Sequence, residues 1–169
     1  MLLRDIRPDD LAAVHLINEA EVPAVGSETH EALERINRES VISLVAADPD
    51  TGEIGAFCMV LGPQADYGSG NFIWFRDRYD RFVYLDRIAV APSFRRRGIG
   101  SAMYAEVERL AAERAPDAID FCLEVNLRPH NEVSLAFHAE LGFTEVGQRE
   151  TSYGARVSLM TKTLRSEGV

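Results

Sequence analysis

The sequence predicts an α/β fold around one mixed sheet, and three observations carry that prediction. Two pairs of apolar runs are joined by short polar segments, residues 81–126 read in the order strand, turn, helix, strand, and four stretches have helical composition. Hairpins make antiparallel neighbours, whereas strand, helix, strand calls for a right-handed crossover between parallel ones. With 169 residues, the chain suits a single domain, taken as 1–169, that buries roughly 70% of its unfolded surface without a disulfide or metal staple.

The elements follow in order. Alternation in LLRDIR marks a first strand, and Pro8, Asp9 and Asp10 supply helix-start chemistry for a helix over 11–20. A second helix is expected over 29–38, separated from the first by Val22, Pro23 and Gly26. ISLVAA and EIGAFCMVL then form a hairpin across D-P-D-T-G, where Pro presets one φ and Gly accepts a left-handed one. Residues 62–80 read as a polar, glycine-bearing loop with five aromatics, Tyr67, Phe72, Trp74, Phe75 and Tyr79, either a substrate lid or an ordered loop packed over a core edge. A central strand over 81–90, a helix over 98–114 and a strand over 118–126 give the crossover. A helix over 131–141 capped by Gly142 precedes a final pair, FTEVGQRE and ARVSLMTKT.

Within the crossover, RRRGIG at 95–100 follows a strand and opens a helix. Such a turn aims unpaired backbone N–H groups and the positive end of the helix dipole at one point, so it is built for an anion. Gly98 and Gly100 admit a close ligand, and Arg95, Arg96 and Arg97 add charge suited to phosphate. A Walker loop would need Lys then Ser or Thr after its last Gly, and a dinucleotide fingerprint would need a third spaced Gly; neither is present.

Composition narrows the partners. A net charge of -9 argues against nucleic acid despite the local arginines, and weakly favours cationic small substrates. No apolar run reaches the length of a membrane span, and MLLRDIRP lacks a secretory leader, so a cytoplasmic location without a membrane partner is expected. Cys58 and Cys122 sit in apolar runs without metal or redox spacing and read as buried thiols; His15, His30 and His130 show no metal spacing either.

The strings YLDRIAVAPSFRRRGIGS, LEVN and NEVSLAFHAELGF together resemble the GNAT acetyltransferases, whose [RQ]-x-x-G-x-[GA] pattern is matched by Arg95, Gly98 and Gly100. The chain also resembles a bacterial subset of that superfamily sharing W-F-R-x-R-Y and F-V-Y-x-D-R-I, a likeness that names no acceptor. The resemblance implies a mixed, mostly antiparallel central sheet with a parallel, splayed strand pair, flanked by about four helices. It further implies acetyl-coenzyme A as cosubstrate, with no metal. Ile88, Ala89 and Val90 would hold the pantetheine arm by their backbone, as an added strand does. Backbone groups of Arg96, Arg97, Gly98, Ile99, Gly100 and Ser101, with Arg95, would hold the pyrophosphate, and Asn131 would touch the coenzyme or simply cap its helix.

Transfer to an amine needs a proton acceptor, since an alkylammonium of pKa about 10 is only around 0.1% deprotonated at neutral pH. It also needs a proton for the departing sulfur. Where many family members carry a tyrosine acid, this chain reads Phe137-His138, which makes His138 the candidate acid, or else a structural histidine. Asp86, which alternates in step with Tyr84, Ile88 and Val90, is the candidate base, with an arginine salt bridge as the alternative. Glu21, Trp74 and Phe75 are candidates for the acceptor pocket by family analogy, and Glu124 and Asn126 are further groups that can face the cleft. The expected activity is acetyl-coenzyme A-dependent transfer to a primary amine of a small molecule or peptide. The alternatives are a coenzyme-binding module without turnover and an enzyme for longer acyl chains. Oligomeric state, including a homodimer, is left open.

Overall fold

A computed structural model describes residues 1–165; residues 166–169, the tail of the expected domain, lie outside the described residues. The elements are β1 (Leu2–Asp5), α1 (Leu11–Ala20), α2 (His30–Glu39), β2 (Ser40–Ala47), β3 (Ile54–Leu61), α3 (Gly70–Arg76), β4 (Phe82–Val90), α4 (Ile99–Arg114), β5 (Asp120–Arg128), α5 (Glu132–Glu140), β6 (Thr144–Glu150) and β7 (Arg156–Thr163). The seven strands form one sheet in the order β1-β2-β3-β4-β5-β7-β6. Every neighbouring pair is antiparallel except β4 with β5. The crossover that joins this parallel pair runs through α4, as the strand, helix, strand order requires.

Two apolar layers cover the sheet. Leu44, Cys58, Val83, Leu85 and Phe121 pack with Met103, Tyr104 and Val107 of α4 on one face. Phe57, Met59, Phe82, Tyr84 and Leu159 pack on the other face with Val14 of α1, Leu33 of α2 and Phe72 and Phe75 of α3. Both thiols are buried, and burial pushes Cys58 up to about 12, so it stays a protonated core residue.

Helix ends follow their local chemistry. Thr29 caps α2 by accepting from Ala32 N–H at 3.1 Å. At the end of α5, Gly142 takes φ +94°, its N–H reaches Ala139 O at 3.0 Å, and Phe143 N–H reaches His138 O at 3.0 Å. This double closure is a Schellman motif, and the Phe143 ring lies 5.7 Å from the His138 ring, which fixes that side chain against the core.

The segment 62–80 departs from the loop reading. Its centre is the helix α3, and Phe72 and Phe75 are fully buried. Aromatic residues are mediocre helix formers and the segment begins with glycines, so local propensity gave no helix signal; burial of one aromatic face supplies the stabilisation instead.

Candidate active site

The parallel pair is short. β4 and β5 are in register only from Phe82 with Asp120 to Tyr84 with Cys122, after which the strands part. Beyond that fork, the β5-facing edge of β4 is unpaired and β5 continues alone against β7. A cleft of about 1190 Å³ opens there, walled by the α1–α2 connection, the segment before α3, β4, β5, α5 and the turn before β7.

β4 carries a bulge at this point. Met59 of β3 is opposite Arg87 while Val60 is opposite Leu85, so Asp86 is the extra residue. The bulge resets the alternation: Tyr84 packs into the α1–α3 face, whereas Ile88 and Val90 pack towards α4. The expected common face of Tyr84, Asp86, Ile88 and Val90 is therefore corrected. Asp86 borders the cleft, but its carboxylate is committed to Arg87 Nε at 2.9 Å. Arg87 is 6% exposed and also donates to Asn18 Oδ1 at 2.8 Å and Glu28 Oε1 at 3.4 Å, tying β4 to the α1–α2 connection.

Glu124 occupies the fork. It stands two residues beyond the last paired position of β5, lines the cleft, and accepts from Tyr84 Oη at 2.6 Å. Burial pushes its carboxyl up to about 7, against the opposing hydrogen bond from Tyr84 and with Asp86 adding to the rise. The Leu-Glu-Val-Asn string placed Glu124 near the cleft, but nothing in it signals a raised pKa, which comes from burial at the fork and from Asp86 of the bulge.

His138 is 7% exposed, and both ring nitrogens have protein partners. Nδ1 lies 2.7 Å from Ser134 O, and a carbonyl only accepts, so Nδ1 carries the proton. Nε2 then accepts from Tyr104 Oη at 2.5 Å. Burial lowers the His138 pKa, which keeps the ring neutral. In this tautomer His138 has no proton to present to the cleft; the proton-bearing hydroxyl beside it belongs to Tyr104, which also lines the cleft.

The turn into α4 has the geometry of an anion cradle. Arg96 has φ +61° and Gly98 φ +72°, and the first helical bond is Ala102 N–H to Gly98 O at 3.0 Å, so the amides just ahead face out of the helix end. Phe94 anchors this turn in the core, with the Arg97 guanidinium 5.0 Å from its ring centroid and Arg97 donating to Ser93 O at 2.9 Å. A Cβ on Gly100 would sit 3.6 Å from Phe137, an ordinary contact, so α5 packing does not itself demand glycine there. These features fit a pyrophosphate group. Arg95 reaches back to Val90 O at 3.3 Å and forms an ion pair with Glu21, which links the cradle to the cleft wall.

The remaining expected residues divide. Glu21 and Asn131 line the cleft, and Asn131 also caps α5, its Oδ1 accepting from Ser134 N–H at 3.2 Å. Trp74 and Phe75 do not line it, which corrects their assignment: Phe75 is fully buried, and Trp74 packs on Gly147 of β6 with Arg78 4.2 Å from its ring centroid. The cleft is bordered instead by the residues just ahead of them, Tyr67 to Asn71. Among the described residues no three His, Cys, Asp or Glu side chains cluster as a metal site, and no helix is long and apolar enough to cross a membrane.

Residues 12–143 match the family described as acetyltransferase (GNAT) family. No curated protein matches the sequence. Among solved structures, the fold is similar to that of the ribosomal-protein-S18-alanine N-acetyltransferase from Escherichia coli, at 18% identity over 99% of this chain and 96% of that one, with a TM-score of 0.74. Ard1 from Thermoplasma volcanium is 18% identical over 98% of each chain with a TM-score of 0.78. An aminoglycoside 6'-N-acetyltransferase complexed with coenzyme A is 20% identical over all of both chains with a TM-score of 0.73.

Proposed function

Since this chain belongs to the acetyltransferase (GNAT) family and is thereby an acyltransferase, we propose that it moves an acetyl group from acetyl-coenzyme A to a primary amine by direct attack, with Glu124 as base and Tyr104 as acid. The observation that carries this reading is the Glu124 carboxyl, which stands in the cleft at the fork of the parallel strands and accepts from Tyr84, and which burial pushes up to about 7. Such a group is half ionised near neutrality, able to take a proton from an ammonium directly or through one water. Asp86, already neutralising a buried arginine, is less suited to that task.

The coenzyme, when bound, supplies the thioester whose carbonyl carbon the amine attacks and whose sulfur leaves. The free edge of β4 offers the backbone of Ile88, Ala89 and Val90 to an extended ligand, and the Arg95 to Ser101 turn offers amides and charge to its pyrophosphate. Asn131 at the start of α5 borders the same space. Glu124 receives the proton released by nitrogen. Tyr104, whose hydroxyl rests on His138 Nε2, turns that hydroxyl to the departing sulfur, gives its proton there and recovers one from solvent through the cleft. Glu21 at the cleft wall is an acceptor contact.

A short acyl group is favoured by the apolar wall behind Ile88. The gap there, lined by Leu85, Met103, Tyr104, Val107 and Phe121, has no room for a water molecule. The test is thiol release from acetyl-coenzyme A against primary amines, amino acids, polyamines and peptide N-termini, beside calorimetric binding of the coenzyme. Amine-dependent release establishes transfer and narrows the acceptor. Tight binding with no release from any amine class would favour a coenzyme-binding module, and no binding would overturn the reading.

A further inference from the structure

Glu21 and Arg95 serve different parts of the site, yet the structure pairs them with each other. Glu21 closes α1 and lines the cleft, and Arg95 begins the turn offered to a pyrophosphate. The Arg95 guanidinium forms an ion pair with Glu21 Oε1 through Nη2 and donates Nε–H to Val90 O at 3.3 Å. It therefore lies across the end of β4, between the edge offered to the pantetheine arm and the turn offered to the pyrophosphate.

The two partners are held differently. The backbone at Glu21 is fixed without Arg95: its N–H donates to Asn18 O at 3.1 Å, its carbonyl accepts from Val25 N–H at 3.2 Å, and Asn126 Nδ2 of β5 donates to Pro23 O at 3.4 Å. Asn18 is itself fully buried and accepts from Arg87 Nη1–H at 2.8 Å. The Glu21 side chain is 15% exposed and that of Arg95 is 52% exposed. The guanidinium is thus the partner with room to turn, and the carboxylate it leaves stays at the cleft wall.

We propose that the Glu21–Arg95 pair couples the coenzyme and acceptor subsites: the pyrophosphate draws Arg95 away, and Glu21 is released to hold a cationic group of the acceptor. This inference rests on the transferase reading. A guanidinium only donates, so Glu21 and a phosphate compete for the same N–H groups, and the phosphate is further served by the amides of the turn. While the pair is closed, an ammonium must displace Arg95 to reach Glu21. The first ligand to arrive separates the pair and the second does not, so each tightens the other by the same factor. With Arg95 half exposed the pair is weak, which sets that factor at about 2- to 5-fold.

The experiment joins calorimetric titration of the full chain with coenzyme A to the KM of the best amine measured with two donors, acetyl-coenzyme A and S-acetylpantetheine, which has the thioester but no pyrophosphate. Glu21→Gln should bind coenzyme A about 2- to 5-fold more tightly than the parent, because Arg95 is free beforehand. Arg95→Gln should bind it more weakly, and adding Glu21→Gln to Arg95→Gln should change nothing further. A Glu21 that only braced the turn would give the opposite sign, weaker binding in Glu21→Gln. The amine KM of the parent should be about 2- to 5-fold lower with acetyl-coenzyme A than with S-acetylpantetheine, and the two values should coincide in Glu21→Gln and in Arg95→Gln. Thermal unfolding identifies a variant that fails to fold, and Glu21→Ala is a second variant with the same expected sign. Unchanged or weaker coenzyme A binding in folded Glu21→Gln and Glu21→Ala, with thiol release intact in the parent, overturns the coupling and leaves the transferase reading in place. Absence of thiol release from the parent with every amine class overturns the transferase reading and this inference with it.

Discussion

Tyr84 donates its hydroxyl to Glu124 Oε2 at 2.6 Å across the fork where β4 stops pairing with β5. Burial holds Tyr84 well above its ordinary pKa, so it keeps its proton and donates it whenever the carboxyl is ionised. The bond therefore stabilises the carboxylate at the one place in the sheet where backbone pairing has been given up and a ligand can enter.

The first prediction concerns pH. Glu124 acts as a base only when ionised, so kcat/KM should fall as pH drops through about 7, and Glu124→Gln should lower kcat by about 10²- to 10⁴-fold and abolish that limb. Stability runs the other way. With a folded pKa of about 7 against an ordinary 4.5, the fold holds this proton longer than the unfolded chain, and stability contributed here is lost as pH rises from 4.5 to 7. Thermal melts at pH 8 should accordingly find Glu124→Gln more stable than the parent by about 1–3 kcal/mol. Equal stability at pH 8 would mean that the carboxyl is not held in an apolar setting.

The second prediction separates Tyr104 from His138. Tyr104→Phe removes the acid and should reduce kcat by about 10- to 10²-fold with KM little changed. His138→Phe leaves the hydroxyl in place but without its acceptor; it should reduce kcat less and destabilise the fold by about 1–3 kcal/mol, the penalty of an unsatisfied buried group. Steady-state kinetics of the two variants decide the order; a greater kcat loss in His138→Phe would return the acid role to the histidine.

The anion turn was legible because its chemistry is local: glycines, arginines and a helix start lie within seven residues of one another. The antiparallel hairpins and the crossover were legible for the same reason. Asp86 was misread because a bulge is a property of the pairing between β3 and β4, and alternation counted along one strand cannot see the extra residue. Trp74 and Phe75 were misread because an aromatic cluster in a glycine-bearing stretch has the same composition whether it faces a ligand or a core, and only the packing of α3 on β4 and β6 decides. The raised pKa of Glu124 was invisible because it comes from burial at the fork and from Asp86 on the neighbouring strand, which only the fold brings beside it.

A third prediction tests the anchoring of the anion turn. A Cβ on Gly55 of β3 would lie 2.5 Å from the Phe94 ring, and Ala91 N–H bonds Gly55 O at 2.8 Å. Gly55→Ala must therefore push Phe94 out of its place, and with it the start of the turn. A stability loss of about 1–3 kcal/mol is expected from the overpacking, together with weaker coenzyme binding by calorimetry, although residue 55 is not part of the turn. Unchanged coenzyme affinity would show that the cradle does not depend on Phe94.

The last prediction concerns the buried cation of the cleft wall. Arg87 is held by Asp86 on its own strand and by Asn18 and Glu28 from α1 and the connection after it, so one guanidinium joins β4 to the segment that walls the cleft. Replacing one member of a buried pair strands the other. Arg87→Met should therefore leave Asp86 uncompensated and destabilise the fold by about 3–5 kcal/mol, whereas Arg87→Met combined with Asp86→Leu removes both charges and should recover a large part of that loss. If Asp86 serves Arg87 and not the reaction, the double variant should keep a kcat well above that of Glu124→Gln while its KM for the amine rises, because the α1–α2 connection has lost its tie. Denaturant melts and steady-state kinetics on the two variants measure both effects. A double variant that is as stable as the parent yet as slow as Glu124→Gln would identify Asp86 as part of the chemistry after all.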